Sequence, residues 1–307
     1  MTIIYTDPVF GRHKTPSGHP ECAERFAAAE RAISHPKFEP LERRTAGPVP
    51  ADAVFAVHPE AHIADLDSMV PEEGLVAVDA DTAIGPFTMR AARTASGCAM
   101  AAVDAVFAGE TKNAFVIGRP PGHHAEKTRA MGFCFLNHVA IAARHAQRVH
   151  GIKRVAIVDY DVHHGNGTQD IFWDDPTVFY ASTHQMPLYP GTGEANERGR
   201  GNILNVPLPP GTPGSLYRTL FDGAVMPALS AFKPELLILS SGFDAHDDDP
   251  LANIRLSDAD FVWITERMMD LADRTCEGRL VSSLEGGYDL AALGRCVAGH
   301  VGALMTA

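Results

Sequence analysis

Val155-Ala-Ile-Val158 runs directly into Asp159-Tyr-Asp-Val-His-His-Gly-Asn-Gly-Thr-Gln169. A short apolar run rich in β-branched residues is the pattern of a strand buried on both faces, and the polar cluster marks where it ends. The pattern recurs. Ala114–Ile117 leads, one glycine later, into RPPGHH; Leu236–Leu239 leads into SSGFDAHDDDP; and Leu280–Leu284 leads into EGGYD. Ile3–Tyr5 and Val178–Tyr180 are further runs of the same kind. Between them lie helix-like stretches at Glu21–Ile33, Met89–Phe107, Asn137–Val149, Ser215–Phe232 and Asp258–Thr275. Strands and helices in alternation predict an α/β fold, a mostly parallel central sheet with helices on both faces. Such sheets bind ligands beyond the C-terminal ends of their strands, which is where the four polar clusters fall.

No repeat, low-complexity tract or Gly/Ser linker divides residues 1–307, so the chain reads as a single domain. Hydrophobic residues make up 45% and charged residues 21%, enough for a buried core and unlike a disordered chain. Lys and Arg number 26 against 38 Asp and Glu, a formal charge of −12 that disfavours nucleic acid as a partner. The cysteines, Cys22, Cys98, Cys134, Cys276 and Cys296, are widely spaced without a C-x-x-C pair. They argue against a disulfide framework and for a reducing cytoplasm. Neither an export signal nor a membrane span is expected.

Asp159, Asp161 and His163 alternate with Tyr160 and Val162, and in an extended strand end that spacing points all three the same way. Asp161 and His163, joined by Asp244 from another strand end, make an Asp₂His set suited to catalytic zinc with positions left open. Two carboxylates nearly cancel the charge of the ion, so the site needs help from nearby donors. Metal-assisted hydrolysis needs a base for water and an acid for the leaving group. His123 and His124, held by the stiff Pro120-Pro121-Gly122 turn, fit those parts near neutral pH. Gly286-Gly287 lets the backbone approach a ligand closely, and the Tyr288 hydroxyl that follows can donate to an oxyanion. Eight further histidines, His13, His19, His35, His58, His62, His145, His150 and His300, read as ordinary. Asp247-Asp248-Asp249 reads as a solvated loop.

In chain order, PPGHH, GFCFLN, DYDVHHGNGTQ, YPGTG, GFDAHDDDPL and LEGGYD resemble the histone deacetylase superfamily, which includes acetylpolyamine amidohydrolases and acetoin-utilisation proteins. HPECAERF and DTAIGP extend the resemblance over nearly the whole chain. It implies the arginase/deacetylase fold, one catalytic Zn²⁺ and hydrolysis of an acylated amine. By the same matching the ligands are Asp161, His163 and Asp244. Asp159 orients His123, His124 is the main base and then the acid, and Tyr288 is the catalytic tyrosine. Asn166 supports His124 where class I enzymes have Asp, a class II-like feature. A structural potassium ion would use Asp159, Asp161, His163, Ser182 and Thr183, largely through backbone oxygens. Gly132, Phe133, Tyr189 and Leu251 would line a narrow tunnel for an acyl-lysine stem. Leu251 stands where polyamine-selective members place an acidic residue, which favours acetyl-lysine in proteins or peptides over acetylpolyamines or small acetylated metabolites. A binuclear manganese ureohydrolase would need further bridging carboxylates and a histidine ligand. A non-catalytic acyl-lysine binder would lack His124 or Tyr288.

Overall fold

The computed structural model describes residues 2–306. Its strands are β1 (Thr2–Tyr5), β2 (Glu42–Arg44), β3 (Val76–Ala77), β4 (Ala83–Ile84), β5 (Asn113–Val116), β6 (Val155–Asp159), β7 (Val178–Gln185), β8 (Ile203–Leu208), β9 (Leu236–Ser241) and β10 (Leu280–Leu284). Eight of them form one sheet in the order β2-β1-β5-β10-β9-β6-β7-β8; β3 and β4 form a separate antiparallel pair. Every pairing in the large sheet is parallel, beyond the mostly parallel sheet that the sequence predicts.

The central strands are mostly apolar because both faces are covered. Ile3, Val116, Ile157 and Ile238 pack on one face against the helices Thr88–Phe107 and His138–His150. Ile4, Phe115, Val158 and Leu239 pack on the other, against Ala23–Ala32, Asp258–Thr275 and Leu290–Leu304. The residue alternation that a one-sided sheet shows as polar against apolar is here a division between two cores. Helix ends are set locally. The Asn137 side chain caps His138–His150 by accepting from the Ala140 amide, and Gly151 closes it in the left-handed region at φ 69°.

The sequence reading misses both edge strands. Glu42-Arg-Arg44 is charged, and Ile203–Leu208 contains Pro207, which only an edge position tolerates. It also joins Ser215–Phe232 into one helix. There the chain forms Gly214–Leu220, a π turn at Phe221–Val225, and Met226–Phe232. Pro227 lacks the amide hydrogen that a regular helix would use across that turn.

Four neighbouring central strands, β5, β10, β9 and β6, deliver their C-terminal loops to one place. Those loops carry His123 and His124, Tyr288, Asp244, and Asp161 with His163.

Candidate active site

The strand expected to carry Asp159, Asp161 and His163 stops at Asp159. The chain bends beyond it, yet the alternation survives: Tyr160 and Val162 are buried in the core on one side, and the polar residues gather on the other. Asp159 lies one step back from Asp161 and His163 and faces His123 instead. Its Oδ2 accepts from the Tyr180 hydroxyl at 2.9 Å and stands 3.0 Å from His123 Nδ1.

Asp161, His163 and Asp244 come together with His163 Nδ1 3.1 Å from both Asp161 Oδ1 and Asp244 Oδ2. Main-chain amides hold the carboxylates: Gly286 N donates to Asp161 Oδ2 at 2.8 Å and Val162 N to Asp244 Oδ1 at 2.8 Å. The chain can pass this close only as glycine, because a Cβ at Gly286 or Gly242 would overlap the Asp161 carboxylate. Burial, followed by the charge of Asp161, pushes Asp244 up to about 7. Burial alone would lower His163, but its bonds to Asp161 and Asp244 outweigh that and raise it to about 10. Two carboxylates crowded in the interior around one imidazole nitrogen are a poor arrangement for protons and a good one for a divalent cation, whose charge they balance. The donor set therefore fits a metal. A second group, Asp104 with His145 and His150, is a surface cluster in which both imidazoles bond one carboxylate oxygen.

The tandem histidines sit in a turn fixed by more than its prolines. Buried Glu285 accepts the amides of Gly122 at 2.6 Å and His123 at 3.1 Å, and takes the Ser240 hydroxyl on its other oxygen. The two rings lie 4.0 Å apart but face different partners. Burial disfavours charge on His123, yet Asp161 and Asp159 overcome it and hold the imidazole well above its usual range. His124 Nδ1 lies 2.7 Å from the amide oxygen of Asn166. Burial, then the charges of His123 and His163, hold His124 well below the usual range.

Gly132, Phe133, Tyr189 and Leu251 line a single cavity of about 220 Å³, together with His124, His163, Tyr288, Leu188 and Asp81. A Cβ on Gly132, at φ 55°, would run into the His124 ring. Phe133 follows at φ 70°, a left-handed conformation that costs a non-glycine residue about 1–2 kcal/mol. The Thr82 hydroxyl accepts its amide at 3.0 Å and the His19 ring meets its side chain edge-on at 4.6 Å. Tyr189 presses on His124 at 5.2 Å, nearly perpendicular. Tyr288 has the buried Arg25 guanidinium 4.9 Å from its ring centre, and burial nonetheless raises its hydroxyl well above the ordinary range. It stays protonated at neutral pH.

The acidic run is solvated at Asp247 and Asp248, as expected, and departs from that reading at Asp249. Asp247 pairs with Arg255 and Asp248 with Arg295. Asp249 is only 6% exposed and accepts the Tyr288 amide at 2.7 Å and the Leu251 amide at 3.0 Å. Ser182 and Thr183 are buried, with hydroxyls bonded to His184 and Tyr217, so a cation there would meet main-chain oxygens.

Several supporting residues escape the sequence reading: Arg25, Asp81, Glu126, Asp249 and Glu285. Arg25 carried a signal in its spacing from Glu21, an i,i+4 ion pair that proves wholly buried. Its guanidinium also donates to the carbonyls of Glu285 and Gly287, tying the first helix to the loop that bears Tyr288. Asp81 reaches the site from a distant loop, the one that opens the DTAIGP stretch, while Glu126 follows His124 by two residues and carried no signal of its own.

The histone deacetylase domain matches residues 19–304. The chain is 40% identical to histone deacetylase 14, chloroplastic, of Arabidopsis thaliana, over 99% of this chain and 76% of that protein. It is 42% identical to the histone deacetylase-like amidohydrolase of Pseudomonas aeruginosa, over 83% of this chain and 68% of that protein. The crystal structure of the HDA15 HD domain superposes with a TM-score of 0.94 at 34% identity, covering 99% of this chain and 89% of that one.

Proposed function

The chain belongs to the histone deacetylase family, whose members act on amide bonds, and from that premise we propose that it is a zinc-dependent hydrolase of acyl-lysine in peptides or proteins. The observation that carries the reading is the narrow, mostly apolar cavity ending on His124, His163 and Tyr288. Its walls suit the methylene stem of a lysine, and its floor carries the polar groups. Asp161, His163 and Asp244 would hold the zinc ion, which supplies a Lewis acid for water and the acyl oxygen. His124 is the proton carrier. Neutral, with Nδ1 occupied by Asn166, it presents Nε2 to take a proton from water and return it to the leaving amine. Tyr288 donates its hydroxyl to the developing oxyanion. His123, paired with Asp159, keeps its proton and offsets the carboxylate charge around it. A potassium ion beside Asp159, Asp161, His163, Ser182 and Thr183 would brace the metal loop.

Asp81 favours a second substrate class. A half-buried carboxylate on the cavity wall suits an acylated polyamine, whose remaining amines are cationic.

The test is acetate release from an acetyl-lysine peptide, with acetylspermidine and acetylputrescine alongside. Turnover should vanish on chelation and return with zinc. Tyr288→Phe should lower kcat by about 10²–10³ while leaving KM nearly unchanged. Full turnover after chelation and in Tyr288→Phe would falsify the mechanism, and a preference for acetylspermidine would transfer the assignment to the second class.

A further inference from the structure

Among the described residues Asn166 alone bonds His124 Nδ1, and an amide can present either end. Its carbonyl would accept from a protonated Nδ1 and leave the Nε2 lone pair facing the cavity. Its NH₂ would do the reverse and leave the proton on Nε2, where it spoils a base. Something must choose between them. On the far side of the amide, Nδ2 stands 2.7 Å from Oε1 of Glu126 and 3.3 Å from Met131 Sδ. A carboxylate only accepts, so the amide atom facing it must be the nitrogen. The carbonyl then faces His124, and since a carbonyl only accepts, Nδ1 must carry the hydrogen.

Resting on the reading of His124 as the proton carrier, we propose that Glu126 is a positioning residue that fixes the Asn166 amide and through it the tautomer of His124. The segment is built to hold it. The Glu126 amide donates to the Arg129 carbonyl at 2.9 Å, and its own carbonyl lies 3.1 Å from Nδ1 of buried His58. His58 Nε2 in turn accepts the Asn137 amide at 3.0 Å, tying the segment to the cap of the His138–His150 helix. A negative charge two groups from the imidazole polarises the amide between them. It does so without placing a full charge against His124, as Asp159 does against His123. The base is thereby oriented and stays neutral.

The test is a double-mutant cycle in the zinc-loaded enzyme, reading kcat and KM on an acetyl-lysine peptide. Glu126→Gln keeps the shape but can offer either end to the amide, and kcat should fall about tenfold with KM nearly unchanged. In an Asn166→Asp background two carboxylates face one another, so Glu126→Gln should leave kcat unchanged or raise it. An equal loss in both backgrounds, or none in the first, overturns the proposal. The tautomer is read independently from ¹⁵N–¹H correlations of histidine-labelled protein. His124 should be the Nδ1–H form in the wild type and a mixture in Glu126→Gln. An unchanged tautomer overturns the proposal whatever the turnover does. If the tautomer changes as stated but the wild type releases no acetate, the fault lies with the assigned reaction and not with Glu126.

Discussion

His123 and His124 are adjacent, equally buried and in ring contact, yet they are held in opposite states. His123 turns Nδ1 to the Asp159 carboxylate and has Asp161 3.8 Å from Nε2, and these two carboxylates favour the charged ring against its burial. His124 turns Nδ1 to the Asn166 amide, and burial wins. The side chain does not decide between keeping and moving a proton; the charge of the group behind it does. The sharpest way to break this comparison is to remove each ring. His124→Ala should lower kcat for acetate release by about 10²–10⁴, the usual contribution of a general acid–base group. His123→Ala should lose less if, as proposed, its ring offsets charge without transferring a proton. Equal losses would mean the two share the work.

The comparison extends beyond the site. Burial lowers His58, His138 and His184 to about 4 and His300 to about 3, so all four are neutral in the folded protein. Their folded pKa values lie below the unfolded value near 6.5. The stability they contribute is therefore fully present above that pH and is lost as pH falls towards the folded values. Between pH 6.5 and pH 5 each should cost about 2 kcal/mol. His123 is raised instead, so its contribution is already nearly full below the unfolded value, is lost only as pH rises, and offsets little of this. Urea unfolding at pH 7 and pH 5 reads the sum, which should be a large part of the marginal stability of a protein. Equal midpoints at the two pH values would show that these histidines are not held neutral.

The same contrast separates what was legible in the sequence from what was not. The central strands and the loops after them are local patterns, an apolar run followed by polar residues, and Val155–Gln169 displays both. Asn166, seven residues beyond Asp159, could be named by matching motifs. Glu126, which bonds it, looks like any surface glutamate two residues after His124. Asp249 shows the same limit: in the sequence it belongs to an acidic run, while in the fold its two neighbours pair with arginines and it alone turns inward to the Tyr288 amide. Groups that touch reacting atoms must be of rare type and spacing. Groups that hold them in place are common residues selected by long-range contacts, and one-dimensional pattern does not carry those. The edge strands were missed for a related reason: Glu42–Arg44 and Ile203–Leu208 are covered less fully, so their composition need not be apolar.

The smallest effect tests how far His124 depends on packing rather than on hydrogen bonds. Tyr189 stands edge-on to His124 at 5.2 Å and to His163 at 6.3 Å. In the sequence its hydroxyl reads as a polar group at an otherwise apolar tunnel wall. In the fold the ring does the contacting, and the residue remains 37% exposed, so water can serve the hydroxyl. Tyr189→Phe should therefore change kcat/KM by less than about threefold. Tyr189→Ala should cost about two- to tenfold, the worth of an aromatic edge contact. If the phenylalanine variant loses as much as the alanine one, the hydroxyl holds substrate or solvent in register. His124 would then be oriented by a polar wall as well as by Asn166.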